Sequence, residues 1–178
     1  MNYFIQLLTY FRILIAPIIF LLITYYDFYG FALLLFFLAS ISDYWDGFLA
    51  RRYDLESSFG AVLDPVADKI LTMFVILALS LELSSAFIGI VGGMILAREF
   101  WVGALRDFNA RHGNSDATQV TLLAKMKTSI QFTAFSLYLL GLVFNNALIL
   151  FTSNFFLLLA LIITLKSGLS YTMSTFKK

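Results

Sequence analysis

The stretch that governs the reading of the whole chain is DYWDGFLARRYDLESSFGAVLDPVAD, residues 43–68. Four aspartates, Asp43, Asp46, Asp64 and Asp68, sit at or inside long apolar segments. Ionisable groups are costly there and are usually kept for function. Asp43 and Asp46 have i,i+3 spacing and Asp64 and Asp68 have i,i+4 spacing, so each pair shares one helix face. Gly47 and Ala50 continue the first face, and Gly60 lies one turn before Asp64 on the second. The connection 51–59 is short, which makes the two helices adjacent and antiparallel. All four carboxylates then lie at a similar depth, beside small residues.

The composition around this stretch is that of a membrane protein. Of 178 residues, 61% are hydrophobic and 13% charged, against about 45–50% and about 25% in soluble domains. The mean hydropathy is +0.89. These values exclude a disordered chain and argue against a soluble globule. Twelve Lys and Arg against 11 Asp and Glu leave a net charge of +1, without the basic excess of a nucleic-acid binder. With no Cys and a single His (His112), disulfides, thiolate chemistry and His-based zinc sites drop out.

A spanning helix needs about 20 mostly apolar residues. The sequence predicts an all-α integral membrane fold, one domain over 1–178, with six spans: about 9–26, 28–50, 60–81, 86–105, 122–144 and 148–166 or a little beyond. A short interfacial helix is expected before Thr9, and a polar loop over 107–119. The N-terminus has no charged leader region, so it is not read as a removable signal. Arg12, Arg51, Arg52, Arg106, Arg111, Lys125, Lys127, Lys177 and Lys178 all fall at one side of this scheme. The connections near Asp27, Glu82 and Asn145 carry no Lys or Arg. The positive-inside rule therefore places both termini in the cytoplasm.

Four carboxylates in one pocket cannot all be ionised unpaired, because like charges raise one another's pKa. Two divalent cations would neutralise them, and all-oxygen ligation suits Mg²⁺, Mn²⁺ or Ca²⁺. Paired metals beside a cleft of small residues fit phosphoryl-type transfer. A carboxylate-lined cation transporter is the alternative from spacing alone. The almost wholly apolar outer halves of the spans count against it.

Written as a pattern, the stretch is Asp43-x2-Asp46-Gly47-x2-Ala50-Arg51-x8-Gly60-x3-Asp64-x3-Asp68. It resembles the complete signature of the CDP-alcohol phosphotransferases, which have six membrane helices and a cytoplasmic-face active site. Asp64-Pro65-Val66-Ala67-Asp68-Lys69, Ala97-Arg98-Glu99-Phe100-Trp101-Val102 with Leu105-Arg106, and Lys125-Met126-Lys127-Thr128 with Gln131 resemble the members that use sn-glycerol 3-phosphate as acceptor. Thr9-Tyr10-Phe11-Arg12 resembles the family's N-terminal TxxR. Ile5-Gln6 departs from the Pro-Asn often found there.

The resemblance implies transfer of a phosphatidyl group from CDP-diacylglycerol to sn-glycerol 3-phosphate, with release of CMP. Other acceptors within the family are phosphatidylglycerol, inositol phosphate and serine. The resemblance further implies that Asp43, Asp46, Asp64 and Asp68 hold two Mg²⁺ or Mn²⁺ ions, with Asp68 also the general base. Thr9, Gly47, Ala50, Arg51 and Gly60 would meet CDP-diacylglycerol.

The acceptor phosphate needs cations, for which Arg98, Arg106, Lys125 and Lys127 are candidates. Arg98 lies about two turns inside Arg106, and Glu99 is expected to face another way. His112 is expected to be solvated, and Trp45 and Trp101 to anchor at the membrane interface. Gly89, Gly92 and Gly93 suit either close helix packing or a homodimer contact. The last span carries no motif.

Overall fold

The computed structural model describes residues 2–53, 58–114 and 122–177, with side chains of 2–6, 43–44, 46–53, 58–62 and 122–125 outside the description. Among the described residues six helices follow in chain order: α1 (Asn2–Thr24), α2 (Tyr29–Tyr53), α3 (Ser58–Glu82), α4 (Ala86–Arg111), α5 (Leu122–Val143) and α6 (Ala147–Phe176). The described residues contain no strand.

Among the described residues, three helices are long and apolar enough to cross a membrane: α1 over Leu7–Thr24, α4 and α6. In α2 the described apolar part is shorter, Tyr29–Ser42. In α3, Asp64, Asp68 and Lys69 interrupt the apolar run. Large apolar side chains lie exposed along these helices, among them Leu14, Ile90, Phe151 and Leu169. Such exposure suits a lipid solvent and marks a membrane protein.

Helix ends differ from the sequence-based boundaries in three places. No separate interfacial helix precedes Thr9, because α1 is continuous from Asn2. α4 runs through Asp107 to Arg111, so the polar loop begins later than expected. An Asp107–Arg111 ion pair at i,i+4, 2.9 Å long, supports that last turn. The helix stops at Gly113, whose φ of 69° suits the left-handed cap. α6 likewise continues past Lys166 to Phe176.

The connections without Lys or Arg are tight turns. Each places a non-glycine residue in the left-handed region: Asp27, Ser84 and Asn145, at φ 54°, 45° and 46°. After α3 and α5, the amides of Ser85 and Asn146 reach back to the carbonyls of Ser80 and Gly141, closing Schellman-type caps. Asn146 also caps α6 by accepting from the amides of Leu148 and Ile149.

The chain divides into two compact units, residues 1–85 with 142–145, and residues 86–141 with 146–178. In the first, α1 packs against α2 and α3. Its core includes Ile19, Ile23, Phe36, Leu71, Val75 and Leu79. The Tyr29 hydroxyl approaches Glu82 at 2.6 Å and Asp27 at 3.1 Å, tying the start of α2 to the end of α3. A phenol carries one proton, so the shorter contact is the donated bond.

In the second unit α4 packs against α6. The two run parallel: partners on α6 advance from Ser167 to Thr172 and Thr175 as α4 advances from Arg98 to Trp101 and Asn109. Val102, Leu105 and Tyr171 form a buried cluster between them. Of the glycines expected to permit close packing, Gly92 is buried. Gly93 is exposed, and a Cβ there would meet nothing within 4 Å. Close packing within the chain therefore does not account for Gly93.

Candidate active site

In the first unit the described part of the acidic constellation centres on Asp64. Its carboxylate is 38% exposed and is held from α1 by two side chains. The Thr9 hydroxyl donates to Asp64 Oδ1 at 2.6 Å. The Arg12 guanidinium, fully buried, stands 3.5 Å from the same oxygen. Thr9 and Arg12 lie three apart on α1, one helix face, which is why a TxxR spacing can serve a single carboxylate.

Both contacts fall on Oδ1, and among the described residues Oδ2 is not engaged. Asp68, one turn further along α3, is half-buried. A half-exposed carboxylate with one oxygen anchored and the other open suits a hard divalent cation. The single His does not compete: His112 is exposed, stacks on Phe108 and bonds its carbonyl. Asp43, Asp46, Gly47, Ala50 and Arg51 belong to α2 and Gly60 to α3, but their side chains lie outside the described residues.

In the second unit two of the cationic candidates, Arg98 and Lys127, meet at one carboxylate. Arg98 is 8% exposed, and its Nη2 donates to Ser167 Oγ on α6 at 2.7 Å. Its Nη1 lies 3.3 Å from Glu99 Oε1, which also takes the Lys127 ammonium from α5. The expectation that Glu99 faces away from Arg98 is therefore overturned. Neighbouring Cα positions do diverge by about 100° around a helix, but both side chains are long enough to meet again beyond the backbone.

Arg106 is exposed, with its guanidinium 6.0 Å from the Tyr171 ring centre. Arg98 lies 5.7 Å from the same centre. Lys125, two residues before Lys127 on α5, lies outside the described side chains. Trp101 is half-exposed and its indole N–H donates to Thr172, in keeping with an interfacial position. Trp45 is exposed likewise.

Residues 5–166 match the model of the CDP-alcohol phosphatidyltransferase family. The chain belongs to that family. Three curated relatives share the name CDP-diacylglycerol–glycerol-3-phosphate 3-phosphatidyltransferase. The relative from Rickettsia bellii (strain RML369-C) is 42% identical over 139 residues, 78% of this chain and 75% of its own length. Those from Salmonella choleraesuis (strain SC-B67) and Escherichia coli (strain K12) are each 36% identical over 132 residues, 72% of this chain and 71% of theirs.

Membership in the CDP-alcohol phosphatidyltransferase family agrees with the aspartate signature that the sequence displays. Sequence reasoning assigned Arg12 and Thr9 by motif but had no signal for their common hold on Asp64. It had none either for Ser167 and Tyr171, because a hydroxyl and a phenol in an apolar run look like ordinary packing residues.

Proposed function

We propose that this chain transfers the phosphatidyl group of CDP-diacylglycerol to sn-glycerol 3-phosphate, giving phosphatidylglycerophosphate and CMP in phospholipid biosynthesis. The observation that carries this reading is the group of Arg98 and Lys127 on Glu99, with Arg106 beside the Tyr171 ring that Arg98 also faces; among these described residues cations outnumber the carboxylate. Its cationic excess suits a phosphate-bearing acceptor. The names of the relatives point to the same acceptor. Serine lacks the phosphate that would use these cations.

The acceptor hydroxyl attacks the phosphorus bonded to the lipid. The bond to the bridging diphosphate oxygen breaks, and CMP leaves with that oxygen. Asp68 takes the hydroxyl proton, and its efficiency rests on positioning. Two Mg²⁺ or Mn²⁺ ions held by Asp43, Asp46, Asp64 and Asp68 would supply neutralising charge at the diphosphate. Thr9 and Arg12 fix Asp64 from below. Gly47, Ala50 and Gly60 leave room for the cytidine part, with Thr9 and Arg51 at the CDP-diacylglycerol side. Arg98, Arg106, Lys125 and Lys127 receive the acceptor phosphate.

The proposed topology has six spans, with both termini cytoplasmic and the active site on that side. The absence of Lys and Arg from the turns at Asp27, Ser84 and Asn145 supports it. The family match covers residues of both compact units, in support of one catalytic domain over 1–178.

The test is CMP release by purified protein with CDP-diacylglycerol and Mg²⁺, with and without glycerol 3-phosphate. Acceptor-dependent release is expected. Release only with phosphatidylglycerol, inositol phosphate or serine would change the acceptor, and silence with all of them would remove the transferase reading.

A further inference from the structure

We infer that α6 contributes a positioning surface, Ser167, Gly168 and Tyr171, that sets the two arginines of the acceptor-phosphate site. The inference rests on the acceptor reading given above and adds residues to it. All three lie just beyond the residues that match the family model, which end at 166.

Each of the three touches Arg98 differently. Ser167 accepts from Nη2 at 2.7 Å. Gly168 lies against the stem, where a Cβ would stand 3.0 Å from Arg98 Cγ and 3.1 Å from Nε. A side chain there would require the arginine stem to give by a few tenths of an ångström. Tyr171 places its ring 5.7 Å from the Arg98 guanidinium and 6.0 Å from that of Arg106. Positions 98 and 106 are about 12 Å apart along an α-helix, so one ring serving both draws two like charges toward each other. A guanidinium over a ring face gains cation–π attraction that partly offsets this repulsion.

A second observation separates this arrangement from ordinary packing. Arg98 Nε is buried and has no hydrogen-bond partner among the described residues. The large majority of buried donors in folded proteins are satisfied, and this one is not. Here the side chain is held where a donor goes unmet, near Arg106 and Lys127, with Glu99 the carboxylate that bonds both Arg98 and Lys127 among the described residues. A phosphate monoester dianion would supply negative charge through the Nη hydrogens that Ser167 and Glu99 leave over. Restricting Arg98 beforehand reduces the ordering cost when the acceptor binds.

The experiment uses full-length protein in mixed micelles with CDP-diacylglycerol and Mg²⁺, measuring KM for each substrate. Gly168→Ala is expected to raise the glycerol-phosphate KM about fivefold, by shifting the Arg98 stem and with it the guanidinium. The helix propensity gained with Ala, about 1 kcal/mol, offsets part of the overpacking cost, so the loss of thermal stability should be small. Tyr171→Leu is expected to raise that KM about tenfold, and Tyr171→Phe, which keeps the ring, to stay within about twofold. The KM for CDP-diacylglycerol should stay within about twofold in all of them. On an Arg98→Ala background, Gly168→Ala should add nothing further.

If Arg98→Ala raises the acceptor KM but Gly168→Ala and Tyr171→Leu do not, the α6 role is wrong and the acceptor site stands. If Arg98→Ala itself leaves that KM unmoved, the acceptor site is wrong and the inference falls with it. A parallel rise in both KM values would show general distortion and also overturn the inference. Should Tyr171→Leu fail to fold, Gly168→Ala decides alone.

Discussion

The two charged centres use opposite ions as ligand groups, yet both bury the cation more deeply than the acid. In the first unit Arg12 is fully buried and Asp64 is 38% exposed. In the second, the Arg98 and Lys127 side chains are 7% and 10% exposed and Glu99 is 22%. Long cationic side chains can bury their stems while short carboxylates stay near the surface. The proposed ligand group is thus the accessible partner in the first unit and the buried partner in the second. Asp64 needs only an anchor beneath it. Arg98 must be aimed by neighbours, and so it depends on Glu99, Ser167 and the α6 surface.

Asp68→Asn strikes hardest at the acidic centre. It is expected to lower kcat about a thousandfold, the reach of a general base. Nucleotide binding should persist in equilibrium dialysis with labelled CDP-diacylglycerol in micelles. Near-normal turnover would take the proton-accepting role from Asp68.

Arg12→Ala tests whether the buried cation is an anchor. Breaking a fully buried ion pair costs about 3–5 kcal/mol. Asp64 can rehydrate, so roughly 2–3 kcal/mol is expected, seen as a lower midpoint of thermal inactivation together with reduced kcat. A loss of stability with kcat untouched would make Arg12 purely structural.

Glu99→Gln examines the converse arrangement. Removing the carboxylate leaves Arg98 and Lys127 facing each other, and should cost about 1–2 kcal/mol of stability without substrate. Saturating glycerol 3-phosphate should then raise the inactivation midpoint more than it does in the parent, because the dianion replaces the lost charge. An equal rise in both proteins would show that Glu99 and the acceptor do not share a field.

Tyr29→Phe is the smallest expected effect. The Tyr29 contacts with Glu82 and Asp27 tie helix ends about five turns along α3 from Asp64, so about 1 kcal/mol of stability should go. Both KM values should be unchanged. A changed KM would mean that this end of the first unit communicates with the site.

Helices and turns were legible in the sequence because their signals are local. Apolar runs of spanning length appear as helices, and the connections lacking Lys and Arg appear as tight turns. Ends were less legible. The extension of α4 depends on the Asp107–Arg111 pair and on α6 packing beside it, as in the Asn109–Thr175 bond. Polar composition alone suggested a loop there, because a helix turn stabilised by a neighbour reads as polar in one dimension.

By itself the sequence determined the chemistry. The aspartate spacing, the small residues beside it and the arginines and lysines of α4 and α5 define the family and the class of reaction, because helix periodicity turns linear spacing into a shared face. Only the tertiary structure decided which partner holds which charge. Thr9 and Arg12 meet across 52 to 55 residues at Asp64, Glu99 turns toward Arg98 and Lys127, and Ser167 and Tyr171 reach Arg98 from α6. Such pairings depend on which helices pack together and on how far long side chains extend, and neither is written in the order of residues along one helix.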